Sequence, residues 1–205
     1  MMKGLGCLGV LVVVALIVGG MVMGTYNNLV TLGQGVDAQW AQVENQYQRR
    51  ADLIPHLVST VQGAANFEKS TLEEVVKARA SVGQVNLGNL PNDPAAFARF
   101  QQAQDGLSSA LSRLMVVVER YPELKANQNF RDLQFELAGT ENRISVERQR
   151  YNDTVRTYNT QVRSFPASII ASFRGFVPSD AYFEAAPAAK EVPKVDFGTD
   201  EKKKP

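Results

Sequence analysis

Residues 130–165, FRDLQFELAGTENRISVERQRYNDTVRTYNTQVRSF, place a large apolar side chain at every seventh position: Phe130, Leu137, Ile144, Tyr151, Tyr158 and Phe165. An α-helix returns positions seven apart to nearly the same face, whereas a strand has a period of two. The stretch therefore predicts one long helix with a buried seam, roughly 54 Å from end to end at about 1.5 Å per residue. A single apolar stripe does not hold such a helix in water. Its stability must come from packing against other helices, so the whole chain reads as an all-α bundle.

Upstream, the same period recurs. Phe100, Leu107, Leu114 and Tyr121 form one column and Phe97, Gln104, Leu111 and Val118 a second, which predicts a helix that Tyr121-Pro122 ends or bends. Asp93-Pro94 is a good start for it, because the carboxylate caps free amides and proline needs no donor in the first turn. The long helix then begins near Asn127. A shorter helix is expected over residues 67–85, with Phe67, Leu72, Val75, Val76 and Val82 apolar, followed by a loop over 86–93. Before that, Val36, Trp40, Val43, Tyr47, Ala51, Ile54, Val58, Val61 and Ala65 mark an amphipathic helix. Its step from Tyr47 to Ala51 is four where alternation calls for three, a stutter in the seam. Pro55 is expected to kink this helix, and Gly33 and Gly35 mark a weak point before it, although a continuous helix is compatible with them.

At the N-terminus, residues 4–24 carry no charge and include LVVVALIV over residues 11–18, enough to cross a bilayer's hydrocarbon core as a helix. A cleaved secretory signal is the competing reading, but its apolar part is usually shorter and Met21-Val22-Met23-Gly24 is a poor small-x-small site. Cys7 precedes the apolar run, the wrong order for a lipoprotein signal. Lys3 lies before the span, and no lysine or arginine follows it until Arg49, so flanking charge puts the N-terminus in the cytoplasm and the bundle outside.

The chain has 205 residues, 44% hydrophobic and 21% charged, with a net charge of +1. This supports one domain with a real core and offers no field to recruit nucleic acid. One cysteine and one histidine, Cys7 and His56, cannot build an ordinary disulfide or a histidine–cysteine metal cluster. No nucleophile elbow, P-loop or dinucleotide glycine motif occurs. The expected catalytic, cofactor and metal sites are none. After Pro187, alanine, proline and alternating charge running to Lys204-Pro205 give too little apolar surface to order a tail.

Chemistry has one place to sit. The second seam of the long helix is interrupted by Thr140, Glu141, Glu147 and Arg148. If that helix packs antiparallel to the one carrying Arg49, Arg50 and Asp52, those residues meet Glu141, Asn142 and Arg143, and a carboxylate pairs with arginine in a partly buried network. The bland reading is a network that sets helix register; the sharper one is a carboxylate pair, Asp52 and Glu141, doing acid–base work. Tyr151-Asn152 and Tyr158-Asn159 repeat in YNDTVR and YNTQVR, which reads as core tyrosines with satisfied hydroxyls. Gly20 and Gly24 have the small-xxx-small spacing of transmembrane helix pairs, a candidate contact between two copies.

Tyr26-Asn27-Asn28-Leu29-Val30, Trp40, RRADLIP over residues 49–55, GTENRI over residues 139–144, Tyr151-Asn152, Tyr158-Asn159, Phe165-Pro166, Gly175-Phe176 and Phe183-Glu184 together resemble the LemA family, across residues 25 to 185. Each motif alone is weak, but their order and spacing are specific. Where the family commonly has asparagine after the RR-x-DLIP stretch, this chain has His56. The resemblance implies a short flank (1–3), a membrane helix (4–24), a long antiparallel bundle of about four helices (25–185) and a tail (186–205). It implies a bacterial membrane protein with no defined reaction and with a membrane protease as a candidate partner. It also implies a bundle on the cytoplasmic side, against the flanking-charge reading, and both sides stay open at this point. The expected function is a membrane-anchored scaffold or adaptor of the bacterial inner membrane; the alternative is a hydrolytic or transfer enzyme using Asp52 and Glu141.

Overall fold

In the computed structural model, which describes residues 2–63, 67–85 and 90–184 with side chains from Gly9 onward, every long element is an α-helix and the described residues contain no strand. Ala65, the first half (86–89) of the expected 86–93 loop, the side chains of Lys3 and Cys7, and the 186–205 tail lie outside the described residues.

The first helix, α1, runs from Met2 to Gln62 as one element of 61 residues, so the apolar N-terminal segment and the first bundle helix are not separate. Its described N-terminal part is exposed and apolar, from Val10 through Leu16 and Ile17 to Met23, and is long and apolar enough to cross a membrane. From Leu29 on, one face turns inward: Val36, Trp40, Val43, Tyr47, Ile54, Leu57 and Val61 are buried. Gly33 and Gly35 do not interrupt the helix. They face α5 (Gln128–Arg163), where a Cβ on Gly33 would come 3.7 Å from Cε2 of Tyr158 and one on Gly35 3.9 Å from Cγ2 of Thr154. Pro55 does not break it either. Proline cannot donate to the carbonyl four residues back, which is that of Ala51; the Nε–H of Arg79 supplies the missing bond at 3.0 Å.

Arg79 belongs to α2 (Lys69–Gly83), which packs on α3 (Pro94–Val118). A 3-10 turn at Leu90–Asn92 precedes α3, and the Ala96 amide donates to Oδ1 of the Asp93 cap at 2.9 Å. Both expected α3 columns are buried through Leu114 and Val118, with Tyr121 half-buried at the turn before α4 (Pro122–Ala126). The Asn127 side chain caps α5 by accepting from the Phe130 amide at 3.3 Å.

Phe130, Leu137, Ile144, Tyr151 and Tyr158 form the buried α5 column, but Phe165 does not continue it. The residue before a proline is pushed out of the helical region. Accordingly α5 stops at Arg163, before Phe165, which is 82% exposed; the Phe165-Pro166 bond is cis. The chain then folds back as α6 (Ala167–Arg174), which lies on α1 and α5 and ends at Gly175 in the left-handed conformation, φ 74°. Residues 176–184 follow as an irregular strap along the bundle.

The core divides along the long axis. One cluster gathers Trp40, Tyr47, Phe97, Phe100, Ile144, Tyr151 and Phe183 near the apolar end of α1. The other gathers Ile54, Leu57, Val61, Leu72, Leu107, Leu114, Phe130 and Leu137 at the far end. Between them, three helices each contribute polar side chains.

Candidate functional site

On α1, Arg50 lies between Tyr47 of one cluster and Ile54 of the other; on α3, Gln104 lies between Phe100 and Leu107; on α5, Glu141 lies between Leu137 and Ile144. Each position is about one helical turn from its apolar neighbours, so the three polar groups fall at one level of the bundle. Arg50 is 1% exposed. Its Nη1 donates to Glu141 at 2.7 Å to Oε2 and 3.1 Å to Oε1, and to the Ser108 hydroxyl at 2.8 Å. Its Nη2 donates to the side-chain oxygen of Gln104 and, at 3.4 Å, to the Gln104 carbonyl. Ser108 in turn donates to Oε1 of Glu141 at 3.1 Å.

The electrostatics are lopsided. The guanidinium is fully desolvated, whereas the Glu141 side chain is 50% exposed. A buried charge is tolerated when it is paired and its donors are filled, and both Nη groups of Arg50 are engaged. Among the described residues, Nε of Arg50 has no hydrogen-bond partner. The Tyr47 ring lies under two guanidinium groups, with Cζ of Arg50 at 5.3 Å and of Arg148 at 5.5 Å. The Arg148 Nε–H donates to the Tyr47 hydroxyl at 2.5 Å. Burial raises the pKa of Tyr47 above its ordinary 10.0, and the positive charges of Arg148 and Arg50 partly offset this. A cavity of about 250 Å³ opens beside the layer, with Arg50, Ser108, Met115, Leu137 and Glu141 in its wall.

Both Glu141 oxygens are thus held by Arg50 and Ser108, an arrangement that ties α1, α3 and α5 together. Of the residues marked in the sequence, Arg50 and Glu141 meet here. Arg49 makes an exposed pair with Glu136 at 3.2 Å. Asp52 is exposed and accepts from Gln48 at 2.8 Å, outside the network, and Asn142 and Arg143 lie on the exposed face of α5. Cβ atoms built on Gly20 and Gly24 meet nothing within 4 Å. Gln104, Ser108 and Tyr47 complete the layer without having been singled out for it. Gln104 carried a signal, as the one polar member of an otherwise apolar column.

A second set of polar contacts holds the strap. The Asn152 side chain accepts from the Phe183 amide and donates to its carbonyl, both at 2.9 Å. One turn-pair further on, Asn159 accepts from the Ser179 amide at 2.9 Å and donates to its carbonyl at 2.7 Å. The Tyr158 hydroxyl donates to the Val177 carbonyl at 3.1 Å. The repeated Tyr-Asn pairs therefore put a tyrosine ring in the core and an amide on the backbone of the strap, two groups satisfied for each asparagine.

The LemA family model matches residues 39–197 of the chain. Among curated proteins, the magnetosome protein MamQ 1 of Paramagnetospirillum magneticum is 28% identical over 180 residues, covering 80% of this chain and 66% of that protein. The magnetosome protein MamQ of Magnetospirillum gryphiswaldense is 27% identical over 180 residues, with the same coverage of both chains. The protein LemA of Metamycoplasma hominis is 27% identical over 154 residues, covering 75% of this chain and 64% of that one. The chain thus spans just under two thirds of these relatives' own lengths.

Proposed function

This chain belongs to the LemA family, and from that premise we propose that it is a non-catalytic, membrane-anchored helical scaffold or adaptor of the bacterial inner membrane. The observation that carries the reading is the unbroken α1, whose exposed apolar part continues into the bundle core without a hinge. Residues 4–24 cross the bilayer as its anchor, and the bundle stands off the surface as a rigid extension of the span. Its working parts are exposed helix faces that bind other proteins, a membrane protease among the candidates, and Gly20 and Gly24 are open to a second copy. The bundle lies on the outer side, as the lone Lys3 before the span argues; Arg174, close to the span in space, is too distant in sequence to enter that count.

The alternative of a hydrolytic or transfer enzyme needs Asp52 and Glu141 to face one substrate. The separation of Asp52 from the network, and the occupation of both Glu141 oxygens, favour the scaffold. In-cell crosslinking followed by detergent extraction tests the reading: a reproducible partner set is expected, unchanged when Asp52 and Glu141 are both replaced by alanine in a variant that still folds. Recovery of no reproducible partner sinks the adaptor role. Protease access to an epitope after Pro205 in spheroplasts against inverted vesicles decides the side: digestion from outside is expected, and protection until inversion overturns it.

A further inference from the structure

Where α5 ends and α6 lies across α1, the fold leaves a cluster of large apolar side chains in the open. Phe165, Ile169, Phe173 and Val177 recur at steps of four and are 82%, 53%, 88% and 71% exposed. Ile169 and Phe173, four apart, share one face of α6, and Phe165 just before the helix and Val177 just after it extend the apolar surface at its two ends. The opposite face of α6 is seated in the bundle through Ala167 and Ala171. Exposed apolar residues elsewhere, such as Val76 and Phe135, sit on other helices.

The position of this stripe says what covers it. Tyr158 lies against Gly33, Thr154 against Gly35, and Gln39 donates to Glu147 at 2.7 Å, so α5 runs antiparallel to α1 in fixed register. Five residues beyond Tyr158, at equal rise, α5 ends at Arg163 level with about residue 28 of α1, and Phe165 lies just past that end. Two contacts show the same level directly: the Phe176 ring is 5.8 Å from that of Tyr26, and Cζ of Arg174 is 5.0 Å from the Tyr26 ring centroid. Tyr26 is two residues past Gly24, where the apolar run gives way to the polar Thr25, Asn27 and Asn28. The stripe is thus continuous with the exposed apolar surface of Leu16, Ile17, Met21 and Met23 just below it. A tyrosine stacked with an arginine at this height is what the boundary between headgroups and acyl chains accommodates, the ring in the apolar layer and the guanidinium among phosphates.

We propose that the outer face of α6, with Phe165, Ile169, Phe173 and Val177, is a second membrane contact that lies in the interfacial layer of the bilayer beside the α1 span. It rests on the reading of residues 4–24 as a transmembrane anchor. Burying the stripe removes apolar surface from water, and a helix with one apolar face lies in the interface plane. With two contacts on one rigid bundle, the tilt of the protein on the bilayer is restrained, and one side of the bundle is held toward the membrane.

Full-length protein with Cys7→Ala, reconstituted in phosphatidylcholine–phosphatidylglycerol vesicles, tests this with an environment-sensitive fluorophore on a single cysteine at one of three sites. Lipids spin-labelled near the headgroup are expected to quench the label in Phe173→Cys more than lipids labelled deep in the acyl chain. The label in Phe135→Cys, on a 76% exposed residue near the level of Arg49 and so about 35 Å from the boundary, is expected to stay unquenched. The label in Val14→Cys is expected to be quenched best by the deep spin label and reports on the anchor alone. Quenching at 14 without quenching at 173 overturns the interfacial contact and leaves the anchor intact. Absence of quenching at 14 removes the anchor, and the signal at 173 still decides whether α6 touches lipid. A label at 173 that is shielded from water but untouched by either lipid quencher means a protein covers the stripe, and that also overturns the proposal.

Discussion

Removing Glu141 and removing Arg50 break the same ion pair, yet the structure predicts unequal costs. Glu141→Ala leaves a guanidinium that is 1% exposed with Ser108 and Gln104 as its remaining acceptors. Losing one partner of a buried pair costs about 3–5 kcal/mol. Because the Glu141 side chain is half in water and a cavity of about 250 Å³ adjoins it, water can reach part of the vacated space, which places the expected loss near the lower bound, about 3 kcal/mol. Arg50→Met fills the site with apolar volume and strands a carboxylate that water already reaches. What it orphans is the buried Gln104 side chain, at about 1–2 kcal/mol. Adding Gln104→Leu should return the protein to within about 1 kcal/mol of the parent, since an apolar replacement of a whole buried network is often neutral or better. Urea unfolding in a non-ionic detergent, followed by fluorescence of Trp40, the only tryptophan and a core residue beside Phe97 and Phe100, reads all three. If Arg50→Met costs more than Glu141→Ala, or if Glu141→Ala costs nothing measurable, the account of a desolvated cation held by a half-solvated anion is wrong.

Arg79→Ala should cost about 1 kcal/mol by unpairing the Ala51 carbonyl, and clearly less in a Pro55→Ala background, where residue 55 regains an amide to serve that carbonyl; a urea double-mutant cycle measures the difference. Asn159→Leu should loosen the strap, seen as faster amide hydrogen exchange at Ser179 with Trp40 emission nearly unchanged, and loss of its amide and carbonyl bonds should cost about 1–3 kcal/mol. Gly33→Ala should be neutral or stabilising by up to about 1 kcal/mol in thermal melts, because the added methyl would meet Tyr158 at an ordinary 3.7 Å and alanine is the better helix former. Stability should fall once the pH rises past the ordinary tyrosine value of 10.0, because burial raises Tyr47 in the folded state and the unfolded chain ionises first; Tyr47→Phe should flatten the decline in an alkaline unfolding series.

The heptad pattern made the bundle legible because burial along a helix is periodic and sequence records period directly. Asp93 and Asn127 were legible as helix starts for an equally local reason, since a cap acts on amides two or three residues away. Phe165 was misread by the same logic: its spacing fits the column, but Pro166 determines the backbone at that residue, and this local restriction overrides a pattern summed over many turns. The passage of α1 through Pro55 could not be read from its own sequence, because the compensating donor, Arg79, arrives from α2. Whether a proline bends or ends a helix depends on who takes the freed carbonyl, and that is a tertiary fact.

The polar layer lies between these cases. Three signs of it were present in sequence: the stutter from Tyr47 to Ala51, Gln104 standing in an apolar column, and Glu141 interrupting the α5 seam. None alone distinguishes a surface drift from a buried network, because each records only that one helix stops being apolar. They gain meaning when all three fall at one level, and that level depends on the α1–α5 register, itself visible only through contacts such as Gln39 with Glu147 and Arg49 with Glu136. Slipping α5 by one heptad against α1 would restore the apolar columns but change what faces Arg50. In one direction Gln134 would take the place of Glu141, and in the other Arg148 would, so no carboxylate would meet the buried guanidinium. The apolar seams therefore favour helix pairing without choosing among heptad registers, and the single buried arginine makes the choice.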